Sequence, residues 1–500
     1  MKYLYTTLII SFLLVSASIS DDTSSLSIGI EEYRQKVSEA NHAIASSRID
    51  LEISRIRSRG EWSVFEPALV GDASRGSTQR QNTVEQALSQ DTRDFKEDLD
   101  RASLGIEGAL PLGLRYWVGT SVDRRSNNLT SQWVESPFES EYMGFAGVRL
   151  VKPLLRDAGN SSTFAGIRLA EAEVGVQQQA YRRAMMEVVS RAELAYWNLA
   201  LSQYVLDVRR EAVGLAEQLL EDNRKRVEAG QMSEIELLEA KSGLALRRTQ
   251  ERDAQQTLIA AQNMVRTFIA EASPFRATRQ LETTDSPDLK ELQIEFETAI
   301  SEALEMHPDY LAQFEVIRQE DIRLAYNRSQ RWPQLDLVGS YGMNGLGDSI
   351  SDSYSKIGHR DHPAWSVGVE LRFPLGLGVR ERAEYEAAQN RKRQALIDLK
   401  SAETQIANAL NTAFHRVEST IEMVSNYETV VGFNEALLAS ETEMLEAGKS
   451  DSRRFFQVLE DLGEARINHY RSLVEHRKSW LDWEVAKGGL LWSRNMDEAY

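Results

Sequence analysis

The residues of this chain best suited to chemistry are His359 and His362, two imidazoles with Asp352 and Asp361 close by in sequence. Imidazole nitrogens and carboxylates at such a spacing can hold a divalent cation. They stand, however, in a polar stretch between two segments of strand-like alternation, where a solvated loop is the plainer account. No nucleophile accompanied by a base and an orienting group can be picked out, nor a pair of carboxylates framed for acid–base work. A phosphate-cradling Gly-x-x-x-x-Gly-Lys-Ser/Thr loop is missing from the sequence. Asn128-Leu129-Thr130 matches a glycosylation triplet, a pattern too short to carry weight. The chemistry-bearing residues therefore argue against an enzyme, and no cofactor or metal is expected.

The bulk properties narrow the classes further. The formal charge of −18 argues against nucleic acid as a partner, because phosphate binding needs a basic footprint. With 42% apolar and 27% charged residues the chain reads as folded, and no internal run is apolar enough for a spanning helix. The N-terminus has a basic start, an apolar run from Leu8 to Val15 and small residues up to Ser20, which together read as a secretory signal. The chain has no cysteine, so an exported product must be held by packing or oligomerisation, and no lipid can be attached at the end of the signal.

The elements that would position any functional residue come in two copies. Residues 181–270 and 384–489 each read as a very long amphipathic helix, a glycine-containing break and a second long helix. The breaks are Glu228-Ala229-Gly230-Gln231-Met232-Ser233 and Glu446-Ala447-Gly448-Lys449-Ser450. Leu194, Leu201, Val205, Val208, Ala212, Leu215 and Leu219 fall on alternating three- and four-residue steps broken only by Asn198, as do Leu396, Leu399, Ile406, Leu410, Ala413, Val417 and Val424 in the second copy with Glu403 and Thr420 filling the gaps. That spacing is a coiled-coil seam. A helix over residues 160–228 would be roughly 100 Å long, so it must pack along other helices. Residues 30–59 read as one further helix, 61–100 as irregular, and 83–99 as a short polar helix.

Strand signals precede each long helix. Leu114 to Val122 and Tyr142 to Val151 alternate in the first copy, Leu335 to Met343 and Trp365 to Phe373 in the second. At about ten residues these strands match the length that crosses a bilayer when tilted. On the last of them Trp365, Val367, Val369, Leu371 and Phe373 would face lipid, and Glu370 and Arg372 the opposite side. Pro153, Pro333 and Pro374 stand where one periodicity gives way to the other, since proline cannot continue a helix.

With these features in hand, the chain resembles the TolC-type outer-membrane efflux protein family. Trp332-Pro333-Gln334-Leu335-Asp336-Leu337 is similar to that family's helix-to-strand junction, and Lys152-Pro153-Leu154-Leu155-Arg156-Asp157-Ala158-Gly159 to its strand-to-helix junction. Ala195-Tyr196-Trp197-Asn198-Leu199 and Arg226-Val227-Glu228-Ala229-Gly230 resemble its first long hairpin. The likeness runs from about Gly144 to Leu491; order, spacing and duplication carry it rather than any single motif.

The resemblance implies an α+β fold. Three copies would each give four strands to a β-barrel in the outer membrane, continued by a periplasmic coiled-coil barrel. It implies the outer-membrane channel of a tripartite efflux or secretion system, a passive duct coupled through a periplasmic adaptor protein to an inner-membrane pump. It also implies that the hairpin tips, here Gly230, Gln231, Ser233, Gly448, Lys449 and Ser450, meet the adaptor. Glu236 and Glu239 match the family's acidic places near the first tip. At the second tip Arg454 and Gln457 occupy them, with Phe455 and Phe456 between, so cation selectivity does not carry over. The two phenylalanines read as core residues or, alternatively, as an aromatic constriction.

The implied order is a signal peptide over 1–20, a periplasmic helix over 21–60, and a first β segment with an irregular insertion over 61–157. A first helical hairpin covers 158–280, a periplasmic helix 281–332, a second β hairpin 333–376, and the second helical hairpin with the C-terminal end 377–500. An exported structural coiled-coil protein of the envelope is the alternative. It would share the seams but not the two pairs of bilayer-length strands.

Overall fold

The computed structural model describes residues 26–84, 86, 94–128, 140–270, 280–290, 296–376 and 378–496. The expected signal peptide and the end of the glycosylation triplet lie outside them. In chain order the elements begin with β1 (Leu26–Ile28), α1 (Ile30–Ala40) and α2 (His42–Gly60). The strands β2 (Ala68–Gln81), β3 (Asp94–Ala109), β4 (Arg115–Asn127) and β5 (Glu141–Pro153) follow. The first hairpin is α3 (Ala165–Glu228) and α4 (Glu234–Phe268). Then come β6 (Leu281–Thr283), α5 (Phe296–Met306), α6 (Pro308–Gln330), β7 (Gln334–Gly347), α7 (Ile350–His359) and β8 (Pro363–Arg372), and last the second hairpin, α8 (Val379–Glu446) and α9 (Ser452–Lys487). The expected pair of long helical hairpins is present, with first helices of 64 and 68 residues.

Four expectations need correction. The single helix over 30–59 is two helices, because Asn41 turns to extended backbone and its Oδ1 accepts from the Ala43 amide at 2.9 Å, capping α2. The irregular region over 61–100 holds β2 and the start of β3, and the polar helix expected over 83–99 gives way to strand from Asp94 onward. The polar loop between the last two strands contains a helix, α7, with Ser349 as its cap.

The chain divides into two compact units. One comprises Met1–Ala45, Met185–Ile294 and Asn411–Val485. Here β1 and β6 pair in parallel beside a core of Tyr33, Tyr196, Leu199, Val265 and Val474. Glu193 is buried in this unit and is neutralised by Arg34 at 2.7 Å, which meets the requirement that a buried charge be paired. A second cluster unites the four long helices through Val213, Leu219, Leu244, Leu445, Phe455, Phe456 and Leu459.

The other unit comprises Ser46–Ala184, Glu295–Leu410 and Ala486–Tyr500 and contains a six-stranded antiparallel sheet in the order β2-β3-β4-β5-β7-β8. The four strands expected from alternation are its last four; β2 and β3 form a further hairpin at one edge. Register sorts the side chains sharply. Leu69, Ile106, Val118, Val148, Tyr341 and Trp365 are successive cross-strand partners and so share one face. Glu107, Trp117, Arg149, Ser340 and Ser366 form the matching row on the other.

Candidate functional site

Two sets of residues are candidates for function, one in each unit. The first is the pair of hairpin tips. At the end of α3 the amide of Gly230 donates to the Val227 carbonyl at 2.9 Å and that of Gln231 to the Arg226 carbonyl at 2.8 Å. At the end of α8 Gly448 donates to Leu445 at 3.1 Å and Lys449 to Met444 at 2.8 Å. Both sets form the Schellman closure, which needs a left-handed residue at the turn. The glycines supply it with φ of 70° and 71°.

Each second helix is then capped by a side chain. Ser233 accepts from the Glu236 amide at 3.4 Å, and Asp451 from the Arg454 amide at 2.8 Å. The Asp451 cap was not singled out in the sequence, although Asp at that distance behind a tip glycine is the signal for it.

Beyond the caps the tips diverge. Gln231, Ser233, Gly448 and Lys449 are exposed and Ser450 half-buried; the Ser450 hydroxyl donates to Glu441. Glu239 pairs with Arg453 at 2.6 Å, while Gln457 is exposed. Phe455 and Phe456 are both buried in the four-helix cluster, so their rings pack inside the chain and line no open surface of it. The Phe456 ring lies against Gly243, where a Cβ would come within 2.2 Å of it. It also lies 4.3 Å from the guanidinium of Arg247, which donates to the Phe456 carbonyl at 2.7 Å. Burial pushes the Arg247 pKa below its usual range, opposed by nearby Glu460. Sequence reasoning missed Arg247, because a lone arginine on a helix gives no sign of burial. Asn223 and Ser452, also buried, share a hydrogen bond of 2.8 Å.

The second set is the sheet. Trp365, Val367, Val369 and Leu371 lie on its apolar face, all well exposed, with Phe373 just past the end of β8. Glu370 and Arg372 lie on the opposite face, as the alternation requires. That face is ionic: Arg115 meets Asp336 at 3.5 Å, Arg101 meets Asp123 at 3.0 Å, and Arg125 meets Glu97 at 3.1 Å. It also contains a row of glycines, Gly105, Gly119, Gly147 and Gly342, under the rings of Trp117 and Phe145. A Cβ on any of the four would come within 2.6 Å of a neighbour, so the rings lie flat against the backbone only because those side chains are missing.

Helix α7 sits on the apolar face against Thr120, Gly144 and Gly345. The Tyr354 and Thr120 hydroxyls are 2.7 Å apart, and Ser353 donates to the Gly345 carbonyl. His359 contacts the Ser355 carbonyl through Nδ1 at 2.8 Å, and Asp352 pairs with Lys356 at 2.8 Å. No group of three metal-ligating side chains assembles among the described residues.

Set beside known proteins, residues 299–474 match the outer membrane efflux protein family. Among solved structures the whole fold is similar to the CmeC outer membrane channel of Campylobacter jejuni, at 14% identity and a TM-score of 0.66, covering 92% of this chain and 85% of that one. It is similar to the outer-membrane channel OprN at 15% identity and a TM-score of 0.68, covering 92% and 90%. The outer membrane protein VceC from Vibrio cholerae matches at 13% identity with a TM-score of 0.63, covering 92% and 96%. No curated protein matches the chain by sequence. At these identities the structural likenesses establish the fold, a strand-and-helix architecture shared with outer-membrane channels, and the matched family is one of channel proteins.

Proposed function

We propose that this chain is the outer-membrane channel of a tripartite efflux or secretion system, a passive duct that draws energy from an inner-membrane pump through a periplasmic adaptor. The match of residues 299–474 to the outer membrane efflux protein family supports the class. The observation that carries the mechanism is the sorting of the sheet. Apolar side chains, most of them exposed, follow one another from strand to strand on one face, while ion pairs and serine hydroxyls lie on the other. A soluble sheet would bury its apolar face on a core; here lipid would cover it, while the polar face lines a wetted lumen. Trp365, Val367, Val369, Leu371 and Phe373 then face hydrocarbon, and Glu370 and Arg372 face the lumen.

Among the described residues, strands β2 and β8 each have a neighbour on one side only. Closing a wall from such sheets takes further copies, which supports a homotrimer. At the hairpin tips Gly230, Gln231, Ser233, Gly448, Lys449 and Ser450 would meet the adaptor, and Glu236, Glu239, Arg454 and Gln457 would border the entrance. The Phe455 and Phe456 rings support the tip from inside.

The experiment is a paired substitution. Val369→Arg, near mid-strand on the lipid face, should cost about 2–4 kcal/mol by outer-membrane barrel scales and reduce assembly. Glu370→Gln should leave assembly intact and change single-channel conductance in a planar bilayer. The two phenotypes interchanged would mean that the faces are assigned backwards.

A further inference from the structure

The β2–β3 hairpin is the part of the sheet that the four-strand expectation does not account for. Its strands are 14 and 16 residues long, more than the nine to eleven or so that cross a bilayer. In register, Leu69, Gly71 and Ala73 of β2 pair with Ile106, Leu104 and Ala102 of β3, and these with Val118, Thr120 and Val122 of β4. The apolar stripe of β4 thus continues unbroken across both added strands. Leu69 is 73% exposed, Leu104 54% and Ile106 47%, against 46% for Val118.

The stripe also ends at one level. The next row is Arg75, Asp100, Arg124 and Tyr142, again direct partners. Asp100 pairs with Arg75 and with Arg124, each at 3.3 Å, and the Arg124 guanidinium lies 6.0 Å from the Tyr142 ring. Charges and an aromatic in one row suit the rim of a hydrocarbon layer. On the opposite face the hairpin carries Asp72, Ser103 and Arg101, so it also continues the polar lining.

We infer that the β2–β3 hairpin spans the outer membrane as part of the channel wall, so that each chain contributes six strands and its covering partner is bilayer lipid. The inference rests on the channel reading above. Three copies would then supply eighteen strands, and since barrel diameter grows roughly linearly with strand number, the lumen would be about half as wide again as with four strands per chain.

The test uses the absence of cysteine, which makes single-cysteine variants free of background. Leu104→Cys, Ile106→Cys, Ser103→Cys and Val369→Cys are each made in the full-length protein, reconstituted in phospholipid vesicles and spin-labelled. Collision of the label with oxygen, which concentrates in lipid, is compared with collision with a water-soluble nickel chelate. The expected oxygen-to-nickel ratio is above one at 104, 106 and 369 and below one at 103. A ratio below one at 104 and 106 with 369 still above one would show the hairpin standing in water and overturn the six-strand wall, leaving the channel reading intact. Low collision with both reagents at 104 and 106 would mean protein rather than lipid covers the hairpin, and would also overturn it. A ratio below one at 369 would remove the membrane face itself. Should a variant fail to give heat-modifiable migration on a gel, Leu69→Cys samples the same stripe.

Discussion

Eight residues beyond each tip glycine the two hairpins do opposite things. In the first the residue is Leu238, 67% exposed; in the second it is Phe456, 8% exposed and stacked on Arg247. The turns that lead there are superimposable in kind, with the same glycine conformation, the same pair of closing hydrogen bonds and a capping side chain three residues on. The backbone solution was kept while the side chains diverged. The second hairpin inserts Ser452, Phe455 and Phe456 into the shared core, and the first leaves Ile235 and Leu238 on the surface. One tip turns its apolar side chains inward, the other leaves them at the surface.

The largest effect that could break this comparison is at that pair of positions. Phe456→Ala should destabilise by about 3–5 kcal/mol, the usual cost of emptying a buried aromatic site. Leu238→Ala should stay within about 0.5 kcal/mol, as surface changes do, yet weaken binding of a periplasmic adaptor. Denaturant melts of the two variants decide it; equal losses would mean that the hairpins are equivalent after all.

The turn glycines should instead behave alike. Gly230→Val and Gly448→Val each force a β-branched residue into the left-handed region, at about 1–3 kcal/mol. Both should leave the sheet end assembled by gel migration while abolishing export. Unimpaired export by either variant would separate the tips at the backbone level too.

The caps give a smaller test. Ser233→Ala and Asp451→Ala should each cost about 0.5–2 kcal/mol, with the aspartate at the upper end because its bond from the Arg454 amide is shorter than that of Ser233 from Glu236. A thermal melt showing no loss for Asp451→Ala would take the second tip out of the matched pair.

The smallest effect is a pH dependence to which the second hairpin contributes a buried histidine and the first does not. His476 of α9 is fully buried, with its ring nitrogens at Thr420 Oγ1 and the Lys290 backbone, and burial holds its pKa below the ordinary value of 6.5. The residue equally far beyond the first tip is Leu258. Above pH 6.5 the imidazole is neutral folded or unfolded and contributes no pH dependence. As the pH falls through 6.5 the unfolded chain takes up the proton first, so stability drops until the folded-state pKa is passed. His307, whose pKa burial also lowers, acts with the same sign. Melting temperatures between pH 7 and pH 5 should therefore fall, and His476→Gln should flatten part of that slope.

How far the sequence revealed these features depends on how strongly burial imprints a period. The long helices were legible because their seams repeat over many turns. The four strands β4, β5, β7 and β8 were legible because bulky Val, Leu, Trp and Tyr residues mark one face. The β2–β3 hairpin was not. Its stripe uses Gly71, Ala73 and Ala102 beside Leu69, Leu104 and Ile106, and small residues blur a period of two. Helix α7 was hidden by its short, polar sequence. At the tips the glycines announced the turns, but nothing local distinguished a surface Leu238 from a buried Phe456, since the difference lies in which helix runs alongside.

Taken with the proposed channel function, the sheet edges left unpaired among the described residues set an order of events in the life of the protein. A single chain that entered the hydrocarbon alone would expose the outer backbone amides and carbonyls of β2 and β8 to a medium with no hydrogen-bonding partner, at several kcal/mol for each unsatisfied group. Membrane insertion therefore cannot precede recruitment of the neighbouring copies. On that reading newly exported chains would wait in the periplasm, the rate of channel production should rise more steeply than linearly with their concentration, and a shortage of chains should yield stranded, protease-sensitive intermediates rather than smaller pores.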